Sequence, residues 1–461
     1  MRKGVKIKGV RGKIPKKSPI IIEHAEDTDH DLEIGTCNTV FPLQRTQKYS
    51  IYSVPNTLRE INGWTCFEPR VVSIGHYHYN QRTRLPVMQK HKLMFCRILL
   101  SRAGKTVEDL MQNIRPLEAE ARGYYSEKIE FQSESELGND SFLKMLILDG
   151  CFILELFQIL GKSRQTKSDL SDHPLSSMEW AIPHLYGDLL LLGNQIPFVV
   201  LKKLFETTKS QDDQDHDPLS LVALRFFNKV MERREEELKK ISKDLNDSLH
   251  LLDLVRKSFI HDLDKQPNKP KKKRPETETM VIYCLTKLIK AGIKIKPRES
   301  DSFLAVKFNN GVIEMPKITL DYCMQSFLVN CIAFEQFHNE CSKHITVYAY
   351  FLYCLVNTAK DVDYLHERDI INSYVGKNSE VVQFINTLGK QEVETDQFYL
   401  DNVFVGVRRY YKNEYNLQWT GFKDRYFNTP WSFISLLAAG VLLVLTVLQT
   451  YFTICAYVNP K

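Results

Sequence analysis

Three carboxylates lie within or beside apolar stretches of this sequence, and their setting could support chemistry. Asp149 and Glu155 fall inside the run Phe142–Leu160, and Asp188 opens a second apolar run. A carboxylate buried in such a run needs a partner or has a raised pKa, because desolvation disfavours its charged form. Two such acids could form a general acid–base pair.

A structural role for the same acids is the interpretation that we favour. An ion pair with a cation such as Arg122, or hydrogen bonds from backbone N–H groups, would satisfy the carboxylates and fix helix register. Asn194 and Gln195 precede Pro197, which has no N–H to donate, so their amides are predicted to bond backbone groups there. The residues predicted as buried structural polar groups are Asp149, Glu155, Asp188, Asn194 and Gln195.

Other chemical motifs are weak. His76 and His78 lie on one side of an extended segment, with His91 nearby, but a metal site needs more ligands and oriented partners around them. The patterns GxSxG, HExxH and GxGxxG do not occur, so covalent hydrolysis, zinc hydrolysis and dinucleotide binding have no support. We therefore predict no catalytic residue, no metal site and no cofactor.

The elements that must hold these residues are mainly helical by pattern. Apolar residues recur at helical spacing from Pro86 onwards, and Phe142–Leu160 is long enough for a buried helix. One strand signal stands out, because two short apolar segments flank Asn310-Gly311, a pair that favours the positive φ of a type I′ turn. The fold class predicted is mainly α, with a small β-hairpin element near residues 303–315.

The strongest pattern is an apolar segment near the C-terminus. No charged residue occurs from Trp431 to Pro460, and a helix over residues 431–458 would be long enough to cross a bilayer. The residues assigned to this transmembrane helix include Trp431, Phe433, Leu437, Gly440, Leu443, Leu448 and Tyr451. Ser435 and Ala439 have the small-xxx-small spacing that favours helix pairing, which suggests self-association.

The charge around this segment predicts its orientation. Basic residues such as Arg408 and Arg409 precede it, whereas only Lys461 follows, so the body should face the cytosol. We therefore expect a single-pass C-terminal anchor in the plasma membrane or an endomembrane. Sequons at Asn139 and Asn246 leave the opposite orientation open.

Charge and cysteine content indicate which partners and which cellular compartment to expect. The formal net charge is +6, and the basic excess lies in residues 1–22, so the near-neutral body makes a nucleic-acid partner unexpected. The ten cysteines include no CxxC pair, which favours buried free thiols in a reducing compartment.

Composition divides the chain into five predicted segments. They are a disordered charged segment (1–36), the first part of a helical body (37–264), a basic proline-rich linker (265–280), the second part of the body with the hairpin (281–430) and the transmembrane helix (431–458).

Eight short motifs, in this order, resemble those of the plant family called domain of unknown function 247. They are Val54-Pro-Asn-Thr-Leu-Arg, Val72-Ser-Ile-Gly, Glu120-Ala-Arg, Leu148-Asp-Gly-Cys-Phe-Ile-Leu-Glu-Leu-Phe, Asp188-Leu-Leu-Leu-Leu-Gly-Asn-Gln-Ile-Pro-Phe, His250-Leu-Leu-Asp-Leu, Asn330-Cys-Ile-Ala-Phe-Glu-Gln and Pro430-Trp with the final apolar segment. The resemblance runs from about Ile51 to Tyr451. It departs at His76, where the family more often has Pro, and at Gly193, where it more often has Glu.

The resemblance implies a largely helical plant protein with one membrane span and no established enzymatic activity. Some members are linked to pollen–stigma recognition in grasses, which implies protein recognition at membranes. We therefore expect a membrane-anchored, non-enzymatic interaction or recognition module with an unknown protein partner. Two alternatives stay open: an unrecognised enzyme with Asp149, Glu155 or Asp188 in an inter-helical pocket, and a nuclear factor that uses the basic run Lys271–Arg274.

Overall fold

The structure is a computed structural model, and it describes residues 49–79, 86–129, 140–161, 173–209, 217–264, 282–374, 376–390, 398–413 and 430–458. The predicted disordered segment 1–36, the predicted linker 265–280 with Lys271–Arg274, and the sequon at Asn139 lie outside these residues. The prediction of a mainly α fold with a small hairpin and a long apolar C-terminal helix is confirmed.

Helices make up most of the described chain. The first nine are α1 (Asn56–Asn62), α2 (Pro86–Ala103), α3 (Val107–Ile114), α4 (Glu118–Gly123), α5 (Ser141–Leu160), α6 (Ile182–Asp188), α7 (Phe198–Thr208), α8 (Leu219–Met231) and α9 (Glu235–Ser242). The others are α10 (Leu251–Asp264), α11 (Leu285–Lys290), α12 (Tyr322–Phe337), α13 (His344–Leu355), α14 (Ala359–His366), α15 (Asn378–Leu388), α16 (Asp401–Tyr411) and α17 (Pro430–Val458).

Two helices that are apolar on nearly every side form the centre of the body. Helix α5 is buried along most of its length and packs against α2, α3, α7 and α8. Gly150 lies at the contact with α7, where an added Cβ would be 2.3 Å from Leu204 Cδ1 and would force that leucine side chain to shift. Helix α12 is buried in the same way and packs against α6, α10 and α13. A helix that is apolar all round has to lie inside a protein or a membrane, and these two lie inside the protein.

The strands form two small sheets. Strands β2 (Lys307–Asn309) and β3 (Val312–Pro316) pair antiparallel around Asn310 and Gly311, whose φ angles of 46° and 79° are both positive. The predicted hairpin is therefore present, and both central residues of its turn have the positive φ that a type I′ turn requires.

The structure adds strands that the sequence did not reveal. Strand β1 (Lys294–Arg298) pairs parallel with β3, and β4 (Ile318–Leu320) pairs parallel with β5 (Ile371–Ser373). Strand β1 was missed because it is mostly polar and contains Pro297, which argues against a strand. The proline is tolerated here because β1 lies at the edge of its sheet.

Helix α17 differs from every helix described above. Its segment Trp431–Cys455 has a mean hydropathy of 2.4 and is long and apolar enough to cross a membrane, and none of the segment is buried within the protein.

Candidate functional site

Asp149 forms an ion pair in the centre of the body. Lys92 of α2 donates to Asp149 Oδ1 over 2.6 Å, and both side chains are 0% exposed. The second oxygen, Oδ2, accepts the backbone N–H of Gly75 over 2.8 Å, and Lys92 also donates to the carbonyl of Ser73. The pair therefore fastens the loop at residues 73–75 to α2 and α5.

The backbone of Gly75 allows this contact. Its φ is +71°, and a Cβ at this position would lie 2.2 Å from the carbonyl oxygen of Gln195. Only glycine fits such a close approach in the left-handed region without displacing its neighbour.

Glu155 lies on α5 and has partners of its own. Arg102 Nη2 donates to Oε2 over 2.5 Å, and His173 Nε2 lies 3.5 Å from Oε1. Burial alone would raise the pKa of Glu155, but hydrogen bonds from His173 and Arg102 outweigh burial and hold its pKa below the usual value. This carboxylate is therefore held charged, with Arg102 as its cationic partner.

Asp188 is bound by backbone groups. Its carboxylate accepts the N–H groups of Arg70, Val71 and Val72 over 3.0, 2.7 and 2.9 Å. Burial raises the pKa of Asp188 to about 6, although these N–H groups favour the charged form. The residue ends α6 and ties it to the segment that runs towards Gly75.

The two amides complete the same framework. Asn194 accepts the Ile74 N–H over 2.6 Å and donates to the carbonyls of Val72 and Asp188. Gln195 donates to the carbonyls of Leu189 and Leu191 and accepts the N–H groups that begin α10. Both side chains bond backbone groups, but these groups belong to the loop at residues 72–74, to residues 188–191 and to the start of α10 rather than to the backbone beside Pro197.

The partners differ in one respect from those proposed. Arg122 does not reach any of these acids, because its guanidinium is bound to Glu118 one helical turn away, over 2.8 Å. The cations that serve Asp149 and Glu155 come instead from α2, which runs alongside α5. Helix-to-helix pairing of this kind depends on tertiary packing, which a single sequence does not reveal.

A second buried ion network escaped the sequence reasoning. Arg256 is 1% exposed, and its guanidinium lies 2.9 Å from Glu335 and 3.5 Å from Asp253. Glu335 also accepts the N–H groups of Ile345 and Thr346. The signal was available, since Glu335 is an acid inside the apolar helix α12 just as Asp149 is inside α5.

The histidines considered as metal ligands lie at the edge of this framework. His78 is buried and His76 is half-buried, and burial lowers the pKa of His76. Within the described ranges, no group of three or more His, Cys, Asp or Glu side chains could hold a metal ion. The nine cysteines that the structure describes are free thiols.

The structure also contains a cavity away from these acids. A cavity of about 520 Å³ lies among the junction of α8 and α9, α10, strand β2 and the start of α16. It includes none of the acids predicted from the sequence; its buried charged residue is Arg233, which stands in a run of charged residues typical of a solvated helix surface.

The residues predicted to span the membrane are exposed along α17. Trp431 is 78% exposed and Leu443 is 67% exposed, and no atom lies within 4 Å of a Cβ placed on Gly440. Phe433, Leu437, Leu448 and Tyr451 are likewise exposed.

Comparison with known proteins gives a match over most of the chain. The model of a family described as "DUF247: Plant protein of unknown function" matches residues 51–445. The chain is 34% identical to the UPF0481 protein At3g47200 of Arabidopsis thaliana, over 93% of this chain and 92% of that protein. It is 23% identical to the putative UPF0481 protein At3g02645 of the same plant, again over 93% and 92%. No solved structure matches.

Proposed function

The chain belongs to the plant protein family of unknown function DUF247, and from that membership we propose a membrane-anchored, non-enzymatic interaction module. The observation that carries the proposal is α17, whose apolar segment of 25 residues has no surface buried in the body. Apolar surface of this extent is unfavourable in water and favourable in a bilayer. The aromatic residues near its ends, such as Trp431 and Tyr451, suit the two membrane interfaces.

The non-enzymatic part of the proposal rests on the buried acids. A general acid or base has to reach a substrate and exchange its proton there. Asp149, Glu155 and Asp188 instead bind cations or backbone N–H groups within the body. These contacts support a framework that holds the helices together, and the partner is then recognised by surface residues.

Membrane attachment is tested by placing charge in the middle of α17. We expect the full chain to stay with the membrane pellet after alkaline carbonate extraction. Leu443→Arg with Val444→Arg should release it, because each arginine at a helix centre costs about 2.5–3.5 kcal/mol of insertion free energy. The matched control is Leu443→Ala with Val444→Ala, which keeps the segment uncharged. A wild-type chain that is recovered in the soluble fraction would contradict the proposal.

The orientation follows from the basic residues that precede the span. Arg408, Arg409 and Lys412 should remain on the cytosolic side, so the body would meet cytosolic partners. In microsomes, added protease should then digest the body, and Asn246 should carry no glycan. Protection of the body together with an endoglycosidase-sensitive mobility shift, lost in Asn246→Gln, would reverse the orientation.

A further inference from the structure

The cavity beside α9 contains a buried arginine that the local backbone holds firmly in place. Helix α8 ends at Met231 and is followed by Glu232, whose φ of 49° is left-handed. Asn228 then clamps the next residue: its Nδ2 donates to the Arg233 carbonyl and its Oδ1 accepts the Arg233 N–H, each over 2.8 Å. A non-glycine residue in the left-handed region is strained, so this turn is maintained by its surroundings.

The guanidinium of Arg233 has incomplete hydrogen bonding. The residue is 7% exposed, its Nη1 donates to Ser258 Oγ over 2.8 Å, and its Cζ lies 4.4 Å from the centre of the Phe259 ring. Its Nε and Nη2 atoms are buried and have no hydrogen-bond partner. Among the residues that the structure describes, no carboxylate lies within ion-pair distance of this guanidinium.

Neighbouring arginines show what a satisfied guanidinium looks like in this protein. Arg234, which also lines the cavity, binds Asp301 through both Nε and Nη2. Arg256 is more deeply buried than Arg233 and is paired with Glu335 and Asp253. Burial lowers the pKa of Arg233 to about 10, while the charges of Asp301 and Glu237 act in the opposite direction, so it stays charged at neutral pH.

The unpaired edge has a shape that specifies its ligand. Nε and Nη2 lie on one edge of a planar guanidinium, which is the geometry that binds the two oxygens of a carboxylate or phosphate. Less than 1 Å² of each atom is exposed, so a ligand in the cavity reaches this edge only when the Arg233 side chain turns towards it. A buried cation with unmade hydrogen bonds is costly, and an oxyanion that fills them removes that cost.

The rest of the lining distinguishes between the two anions. The charged side chains around the cavity balance, four basic against four acidic, which disfavours the double charge of phosphate. Phe259, Phe308 and Val403 supply apolar surface beside the arginine. The volume of about 520 Å³ is that of a small-molecule site.

We propose that this cavity binds a small organic acid, with Arg233 holding a single carboxylate by two parallel hydrogen bonds and the apolar lining holding the body of the molecule. This site is independent of the membrane attachment and of the non-enzymatic role proposed above. It would give the protein a ligand whose presence fixes the α8–α9 junction.

The test is isothermal titration calorimetry of the full chain in phosphatidylcholine nanodiscs, with acetate, hexanoate and benzoate as probes. We expect saturable binding that strengthens from acetate to the larger acids. The neutral benzamide should bind at least about tenfold more weakly than benzoate, because a charge-assisted pair contributes more than about 1.4 kcal/mol. Inorganic phosphate should also bind more weakly than benzoate, because the balanced charge of the lining disfavours its second negative charge.

Three variants locate the binding. Arg233→Met should weaken the binding of benzoate at least about tenfold, since methionine keeps an apolar side chain and removes the guanidinium. Ala305→Leu narrows the cavity without altering Arg233 and should also weaken benzoate, which keeps the test valid if the first variant folds poorly. Arg115→Met, which removes an exposed arginine paired with Asp140 outside the cavity, should leave the affinity unchanged.

Several results would overturn the proposal. These are no saturable binding by any of the acids, equal affinity of benzoate for Arg233→Met and for the wild type, or tighter binding of phosphate than of benzoate. None of them bears on carbonate extraction, so failure here and failure of the membrane proposal are distinguishable.

Discussion

At the scale of single residues, the buried charges determine which substitutions the body tolerates. Asp149 and Lys92 are both fully buried and neutralise each other. Removing one partner from such a pair leaves an uncompensated charge, whereas removing both charges together is far less harmful.

We expect Lys92→Met to destabilise the body by about 3–5 kcal/mol, because the buried carboxyl group of Asp149 loses its ion-pair partner. Lys92→Met combined with Asp149→Asn should recover much of the loss, since the amide oxygen can still accept the Gly75 N–H. Denaturant unfolding of the full chain in detergent measures both. Arg115→Met, at an exposed pair, is the control and should cost less than about 1 kcal/mol.

The alternative of an enzyme makes the opposite prediction at the same position. A catalytic Asp149 could be replaced by Asn with folding intact and an activity lost. Unchanged unfolding midpoints for both Lys92→Met and Asp149→Asn would therefore count against the structural role.

Asp188 gives a prediction about pH. Its pKa rises from 3.8 to about 6 on folding, so the folded state binds the proton more tightly than the unfolded state. The stability that this group contributes is complete below its unfolded pKa and is lost as the pH rises through about 6. The free energy of unfolding of the wild type minus that of Asp188→Asn should therefore fall by about 2 kcal/mol between pH 4 and 6, as followed by denaturant unfolding at each pH.

Asp109 provides a control of the opposite sign. Hydrogen bonds from Thr106 lower the pKa of Asp109 at the start of α3. The stability that it contributes is present above its unfolded pKa and is lost as the pH falls. The free energy of unfolding of the wild type minus that of Asp109→Asn should therefore rise with pH. A fall in this difference would mean that the trend expected for Asp188 does not come from its burial.

At the scale of elements, the loop before α2 is positioned by one glycine. Gly75→Ala would place a Cβ 2.2 Å from the Gln195 carbonyl, in a left-handed conformation. We expect a loss of about 2–4 kcal/mol, from backbone strain and from disruption of the Gly75–Asp149 hydrogen bond. Thermal unfolding monitored by circular dichroism measures it.

Gly104 is the matched control for that substitution. Its φ of +61° is also left-handed, but nothing lies within 4 Å of an added Cβ. Gly104→Ala should therefore show the conformational strain alone, about 1–2 kcal/mol. Equal effects at Gly75 and Gly104 would mean that the close approach to Gln195 does not constrain the loop.

Sequence patterns predicted those helices and strands whose own neighbouring residues are distinctive. The all-apolar helix α5, the Asn310-Gly311 hairpin and the exposed apolar helix α17 could all be read from neighbouring residues. Strands β1, β4 and β5 could not, because they are short and pair with segments distant in sequence. The buried amides were predicted, but the cation on α2 for Asp149 and the incomplete bonding of Arg233 depend on packing between helices.

At the scale of the whole molecule, buried side chains join the two predicted parts of the body. Asn330 of α12 accepts the Leu192 N–H and donates to the Cys66 carbonyl, each over 2.9 Å. Arg256 of α10 likewise lies 2.9 Å from Glu335 of α12, and both side chains are buried. Residues on both sides of the segment 265–281 therefore share one framework.

We expect the body to unfold in a single transition. Hydrogen exchange in α5 and in α12 should report the same opening free energy under rising denaturant. Asn330→Ala should lower both by about 1–3 kcal/mol, because it leaves a buried N–H and a buried carbonyl without partners. Separate transitions for the two helices, with Asn330→Ala affecting only α12, would contradict a shared framework.

The position of Asp149 also bears on how a cell sorts the two long apolar helices of this chain. Helix α5 has 20 residues, enough to be taken for a transmembrane segment by the insertion machinery. An aspartate near a helix centre opposes insertion by about 2.5–3.5 kcal/mol, and Glu155 adds to the penalty. Helix α17 has no such residue. We therefore expect the carboxylate that binds Lys92 in the folded body also to disfavour insertion of α5 into a bilayer.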